Sequence, residues 1–107
     1  STFFHHYTKA LRWAEQFEGR ISDEDRAHLK EMCRQFLKDA RGLIEDEPGM
    51  DLDRAGHDFY LTHVGHGAGF WDGDWPKHGD ELTALAEEYP MVEATREHLY
   101  VPHATTA

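Results

Sequence analysis

Between Ser22 and Leu43 apolar side chains return every three or four residues, at Leu29, Met32, Cys33, Phe36, Leu37, Ala40 and Leu43, with no proline among them. That spacing is the one-sided pattern of an amphipathic helix. Ser22 supplies an N-cap hydroxyl, and Asp23, Glu24 and Asp25 fill the first turn, where the helix dipole favours acids. In a chain of 107 residues a helix this long dominates the packing and needs a partner for its apolar stripe. The preceding segment offers one: Phe3, Tyr7, Ala10, Leu11, Ala14 and Phe17 share helical spacing, and Gly19 closes the run. The pair predicts a helical hairpin over residues 1–44 that leaves one side for a sheet.

Pro48 and Gly49 break the pattern inside Glu45 to Asp53 (EDEPGMDLD), and residues 45–56 read as an acidic surface loop. The run lacks the alternating oxygen ligands, central Gly and terminal Glu of a calcium loop. Beyond it, Asp58 to Val64 and Ala68 to Asp72 are rich in aromatic and β-branched residues around Gly65 and His66, which predicts a β-hairpin. In that register Phe59, Leu61, His63, Ala68 and Phe70 face the helices, and Asp58, Tyr60, Thr62, Gly69 and Trp71 face outward. A short helix follows, with Asp80 near its start, Leu82, Leu85, Ala86 and Tyr89 on one face, and Pro90 at its end. Val92 to Ala94 and His98 to Val101 are extended, as two short strands turning near Arg96 or as one strand and a loop. The expected fold class is α+β. The N-terminal helical hairpin packs on a small antiparallel sheet in the order α-α-β-β-α-β, with room for a fourth strand, and residues 1–107 form a single domain, of which 57–101 carry the sheet and the short helix.

The formal charge of -10 is unevenly placed. Residues 1–44 hold eight bases and seven acids, whereas residues 45–107 hold three bases and fourteen acids. An acidic chain repels phosphate backbones and suits a basic protein surface, although net charge also serves solubility alone. With 39% apolar residues, six Phe, four Tyr and three Trp, a core needs no staples. The lone Cys33 excludes a disulfide framework, and no apolar run reaches the length of a membrane span. Ser1 to Tyr7 lacks the basic start and apolar stretch of a signal peptide, so the expected location is the cytoplasm.

The segment Gly56 to Asp72, GHDFYLTHVGHGAGFWD, resembles the signature of a family of small uncharacterised proteins carried by bacteriophages, prophages and plasmids. Gly79, Asp80, Leu82 and Thr83, and then Leu99, Tyr100 and Val101, are similar to two further blocks of that family, so the likeness spans residues 24 to 101. Tyr60 stands where the family usually has Trp, and His63 and Val64 stand where it has Arg and Asn. A Gly and Asp-rich turn that often follows the last block is also missing after Val101. The resemblance implies a mobile-element accessory protein and supplies no mechanism.

Three functional readings follow. The first is a non-catalytic module that binds a basic protein partner through an acidic, aromatic-bearing surface made of Asp58, Tyr60, Thr62, Trp71, Asp72, Asp74, Glu45, Asp46 and Glu47. As a phage protein it would inhibit a host nucleic-acid-handling or defence protein. The second is a metal-binding domain or metal-dependent enzyme using His57, His63, His66, Asp72 and Asp74; these residue types are competent ligands, but no HExxH or paired CxxC fixes them. The third is a nucleic-acid contact through the basic stripe Arg26, Lys30, Arg34, Lys38 and Arg41, which lies roughly 120° from the apolar face of the second helix. The bland reading of that stripe is a solvated or internally paired flank, and a second copy of the chain is another partner for it. No phosphate loop or nucleophile elbow is present, so no cofactor is expected and the expectation is a protein that is not an enzyme.

Overall fold

The computed structural model describes residues 2–64, 69–90 and 92–103. Its elements are α1 (Thr2–Glu15), α2 (Asp23–Glu45), α3 (Leu52–His63), α4 (Gly79–Ala86), β1 (Glu93–Ala94) and β2 (Leu99–Tyr100). The two short strands pair antiparallel, Glu93 with Tyr100 and Ala94 with Leu99, around a turn at Arg96. This is the first of the two arrangements expected for the C-terminal segment.

The expected α+β fold, a helical hairpin packed on a small antiparallel sheet, is overturned. Asp58 to His63, read as the first arm of a hairpin, is the C-terminal half of α3, and Gly69 to Asp72 is a turn. The proposed Gly65 and His66 turn and Ala68 lie outside the described residues. The chain is a four-helix arrangement with one two-stranded ribbon, in the order α-α-α-α-β-β. The physical reason lies in burial: Ala55, Gly56, Asp58, Phe59, Tyr60, Leu61, Thr62 and His63 are all buried, so α3 is enclosed on nearly every side. An enclosed helix carries no polar stripe, and the 3.6-residue period that betrays α2 is erased. Local β preference of the aromatic and β-branched residues then yields to tertiary packing.

The acidic loop is also shorter than expected, because α3 starts at Leu52. Asp51 caps it, accepting a hydrogen bond from the Arg54 amide at 2.9 Å. Ser22 caps α2 as its position in the sequence indicates, with the Asp25 amide 3.1 Å from its hydroxyl. At the end of α1 the chain turns at Gln16, whose φ of 53° places a non-glycine residue in the left-handed region.

The expected helical hairpin needs a second correction. α1 lies principally along α3 and meets α2 only marginally, so α3 intervenes where a sheet was expected. The α1–α3 approach is close enough that a Cβ on Gly56 would sit 2.2 Å from the carbonyl oxygen of Phe3. Around this contact the rings of Phe36 and Phe59 stack at 4.0 Å, and Phe3 and Phe70 flank Phe36 at 5.9 and 6.0 Å. One aromatic cluster therefore ties α1, α2, α3 and the turn at Phe70 together. Cys33 is buried in this core, and burial pushes its thiol pKa well up, which makes it a small hydrophobe.

Candidate functional site

The polar residues of the 56–72 block divide into those the fold consumes and those it leaves at the surface. Asp58, on α3, is 1% exposed, and its carboxylate takes three donors. The Trp75 indole donates at 2.7 Å, Arg54 Nε at 3.0 Å and His57 Nδ1 at 3.0 Å. A buried carboxylate is tolerable when its lone pairs are filled in this way. Arg54 reaches onward to Asp74 at 2.5 Å, which pins the turn before Trp75 to the start of α3. Hydrogen bonding to Asp58 holds the Arg54 guanidinium still more firmly in its charged form.

Tyr60 is wholly buried and donates its hydroxyl to Glu15 at 2.7 Å; burial, then Glu15, raises its pKa. Thr62 accepts from the Phe70 amide at 2.8 Å, and a Cβ on Gly69 would lie 2.2 Å from the same hydroxyl. The glycine thus permits a backbone approach, as its place beside aromatic residues suggests. His63 is buried between α1 and the end of α4: its Nε2 donates to the Tyr89 carbonyl at 3.1 Å, and its Nδ1 accepts from the Tyr7 hydroxyl at 3.3 Å. Burial pushes its pKa down, so the ring stays neutral. Glu47 is buried too, and its carboxylate receives the amides of Lys77 and His78 at 3.1 and 2.7 Å.

Asp58, Tyr60, Thr62 and Glu47, expected on a partner-facing surface, are therefore structural. The candidates that remain exposed are Trp71, Asp72, Asp74, Glu45 and Asp46. Trp71 is 51% exposed at an open cleft of about 450 Å³, whose lining also includes Lys77, Asp80 and Glu81. Asp46 pairs with Lys77 at 2.8 Å and with His78 at 2.9 Å, and Glu81 takes the other ring nitrogen of His78 at 3.1 Å. The hydrogen bonds to Lys77 and His78 hold the Asp46 carboxyl below its usual range, and those to Asp46 and Glu81 raise the pKa of His78. The result is an apolar indole on a mixed rim, where Lys77 lines the same cleft and Asp46, Asp74 and Glu81 are themselves paired with Lys77 and His78, with Arg54, and with His78.

The proposed metal ligands do not converge. His57 turns to Asp58, His63 is locked inside, and His66 lies outside the described residues. Asp72 caps the local turn by accepting from the Asp74 amide at 3.2 Å. The basic stripe is exposed along α2, and its partners lie on α2 itself and on α1. Arg34 binds Glu31 through two bonds at 2.9 and 2.6 Å, Arg41 pairs with Glu45 at 3.2 Å, and Arg26 and Lys30 lie over the Phe4 ring. Among the described residues the one ion pair between this stripe and the acidic half 45–107 is Arg41 with Glu45, one turn further along the same helix.

Sequence reasoning missed Arg54, Trp75 and Trp13. The Arg54 to Asp58 spacing of four is a helical ion-pair signal that a strand reading hides. Trp13 is 72% exposed on α1, its ring 6.3 Å from that of His57, and its departure from the apolar spacing of α1 was the available sign. None of the described helices is long and apolar enough to cross a membrane. Compared with protein-family models, curated proteins and solved structures, the chain matches none.

Proposed function

We propose that this chain is a non-catalytic binding module that docks a basic protein surface through the face centred on Trp71. The observation that carries the reading is a half-exposed indole beside a cleft lined by Asp80, Glu81 and Lys77, with the exposed Asp72 next to Trp71 in the chain. Buried aromatic anchors supply most binding energy at protein interfaces, and surrounding charges set encounter rate and partner choice. The polar groups that could have driven chemistry, Asp58, Tyr60, Thr62 and His63, are occupied in holding elements together.

A surface of Lys and Arg that ordinarily binds nucleic acid is the chemistry such a face fits. The motif's resemblance to phage and plasmid proteins adds a setting, in which the partner is a host nucleic-acid-handling or defence protein and occupancy inhibits it. The test is capture from a bacterial lysate on the immobilised chain, followed by competition with double-stranded DNA. The reading expects nucleic-acid-binding proteins that are released both by DNA and by rising salt. Capture indifferent to DNA and salt, or no capture at low salt, would overturn it.

A further inference from the structure

We propose a zinc-type metal site outside the 56–72 block, formed by Glu24 and His28 on α2 with His103 from the C-terminal segment. Glu24 and His28 are one helical turn apart and so project from the same side of α2. His103 comes from the other end of the chain, and its imidazole stacks on that of His28 with centroids 3.9 Å apart and planes at 9°. The candidate ligand atoms of the three residues all lie within 4.8 Å of one another.

The two nitrogens of His103 are not equivalent. Nε2 is 2.8 Å from Asp25 Oδ1, a short hydrogen bond to a carboxylate. That bond puts a proton on Nε2, and in the neutral, metal-ligating form of the ring the Nδ1 lone pair points toward Glu24 Oε1, 3.3 Å away. In that neutral tautomer two acceptors face each other, and a cation between them satisfies both; the metal-free arrangement of the same contacts is a doubly protonated ring bridging Glu24 and Asp25. The separation is longer than the ~2.7 to 2.9 Å of a charge-assisted N–H···O bond. It matches the ~3.4 Å edge of a tetrahedral site whose bonds are ~2.0 to 2.1 Å.

Asp25 then plays a recognisable part. A metal-bound imidazole commonly donates its other N–H to a carboxylate, which fixes the tautomer and raises ligand basicity. The parallel rings hold their lone pairs in parallel planes, so the partly exposed His28 ring must turn out of the stack to supply the third ligand, and water takes the fourth place. Two imidazoles and one carboxylate suit zinc, whereas calcium and magnesium prefer oxygen donors throughout. Glu24 and Asp25 also serve the first turn of α2 through the helix dipole, but that role does not call for two imidazoles beside them. Occupancy would clip residue 103 to the start of α2.

The experiment uses the full chain without an affinity tag, titrated with zinc chloride in a calorimeter and with cobalt(II) as the spectroscopic probe. The site predicts one equivalent of zinc, the visible bands of four-coordinate cobalt, and no saturable response to magnesium or calcium. His28→Ala and His103→Ala should each remove the cobalt bands, and Asp25→Asn should weaken zinc binding by about 10-fold. His57→Ala should leave binding intact. These are surface or partly exposed positions, and far-UV circular dichroism verifies that each variant folds. No saturable zinc binding, or binding that survives loss of either His28 or His103, overturns the proposal.

Discussion

Replacing Asp58 with Ala isolates the contact that joins α3 to the turn before α4. Trp75 is 2% exposed, so its indole N–H, 2.7 Å from Asp58 in the native protein, would be left buried without an acceptor. A hydrogen bond to a charged group contributes about 1.5 to 3 kcal/mol. The Arg54 bond adds less, because that side chain is half exposed and keeps Asp74 as a partner; such pairs are worth about 0 to 1 kcal/mol. Removing the buried charge returns part of its desolvation cost. The net expectation is a loss of about 3 kcal/mol, within the roughly 5 to 15 kcal/mol that a domain commonly has.

Urea unfolding followed by tryptophan fluorescence measures it. With an m-value of about 1.5 kcal/mol/M the midpoint falls by about 2 M. Asp58→Asn retains an acceptor for Trp75 and should cost roughly half as much, about 1 to 2 kcal/mol. Trp75→Phe removes the donor but keeps a ring, and the Asp58→Ala and Trp75→Phe pair should couple by about 1.5 kcal/mol in a double-mutant cycle. A loss under about 1 kcal/mol for Asp58→Ala, or no coupling, would refute the assignment of Asp58 as a structural hub.

Two glycines on helices should respond with opposite signs. Gly56→Ala drives a methyl into the Phe3 carbonyl and should destabilise by about 2 to 3 kcal/mol despite the better helix propensity of Ala. Gly42→Ala on α2 meets open space and should stabilise by about 0.5 to 1 kcal/mol; equal effects in thermal unfolding would contradict the α1–α3 contact. His63 predicts an acid-side pH dependence. Its folded pKa is lowered by burial, so its contribution is complete above the unfolded value near ~6.5 and is lost as pH falls from there toward the folded value. His63→Gln should flatten the melting temperature over that window, and nitrogen chemical shifts should show a neutral ring protonated at Nε2 in the native protein.

What could be read of the fold lies where one side of an element stays wet. α2 shows its stripe, Ser22 its cap, and the ribbon its two short strands around Arg96. α3 was not legible for the opposite reason. A helix enclosed by α1, the Phe70 turn and α4 presents apolar and polar residues on all sides, and its cap, Asp51, is hidden inside a run of acids. The error carried straight into the site. Alternation along a strand sent Tyr60 and Thr62 outward, whereas the helix turns both into hydrogen bonds with distant segments. Trp71, Asp72 and Asp74 survived as surface residues because they follow the helix and sit in the turn. The histidines of the block misled in the same way: their density comes from structural bonds at His57 and His63, while the pair that converges, His28 and His103, is separated by almost the whole chain.

The central claim is that the Trp71 face, and not the basic stripe, is the working surface. Capture of a basic protein from lysate by Trp71→Ala and by the Asp72→Asn, Asp80→Asn double variant, beside a Lys30→Glu, Arg34→Glu variant, tests it most directly. The first two should lose the captured protein while the stripe variant keeps it. Capture retained by Trp71→Ala and lost on reversing the stripe would contradict the account.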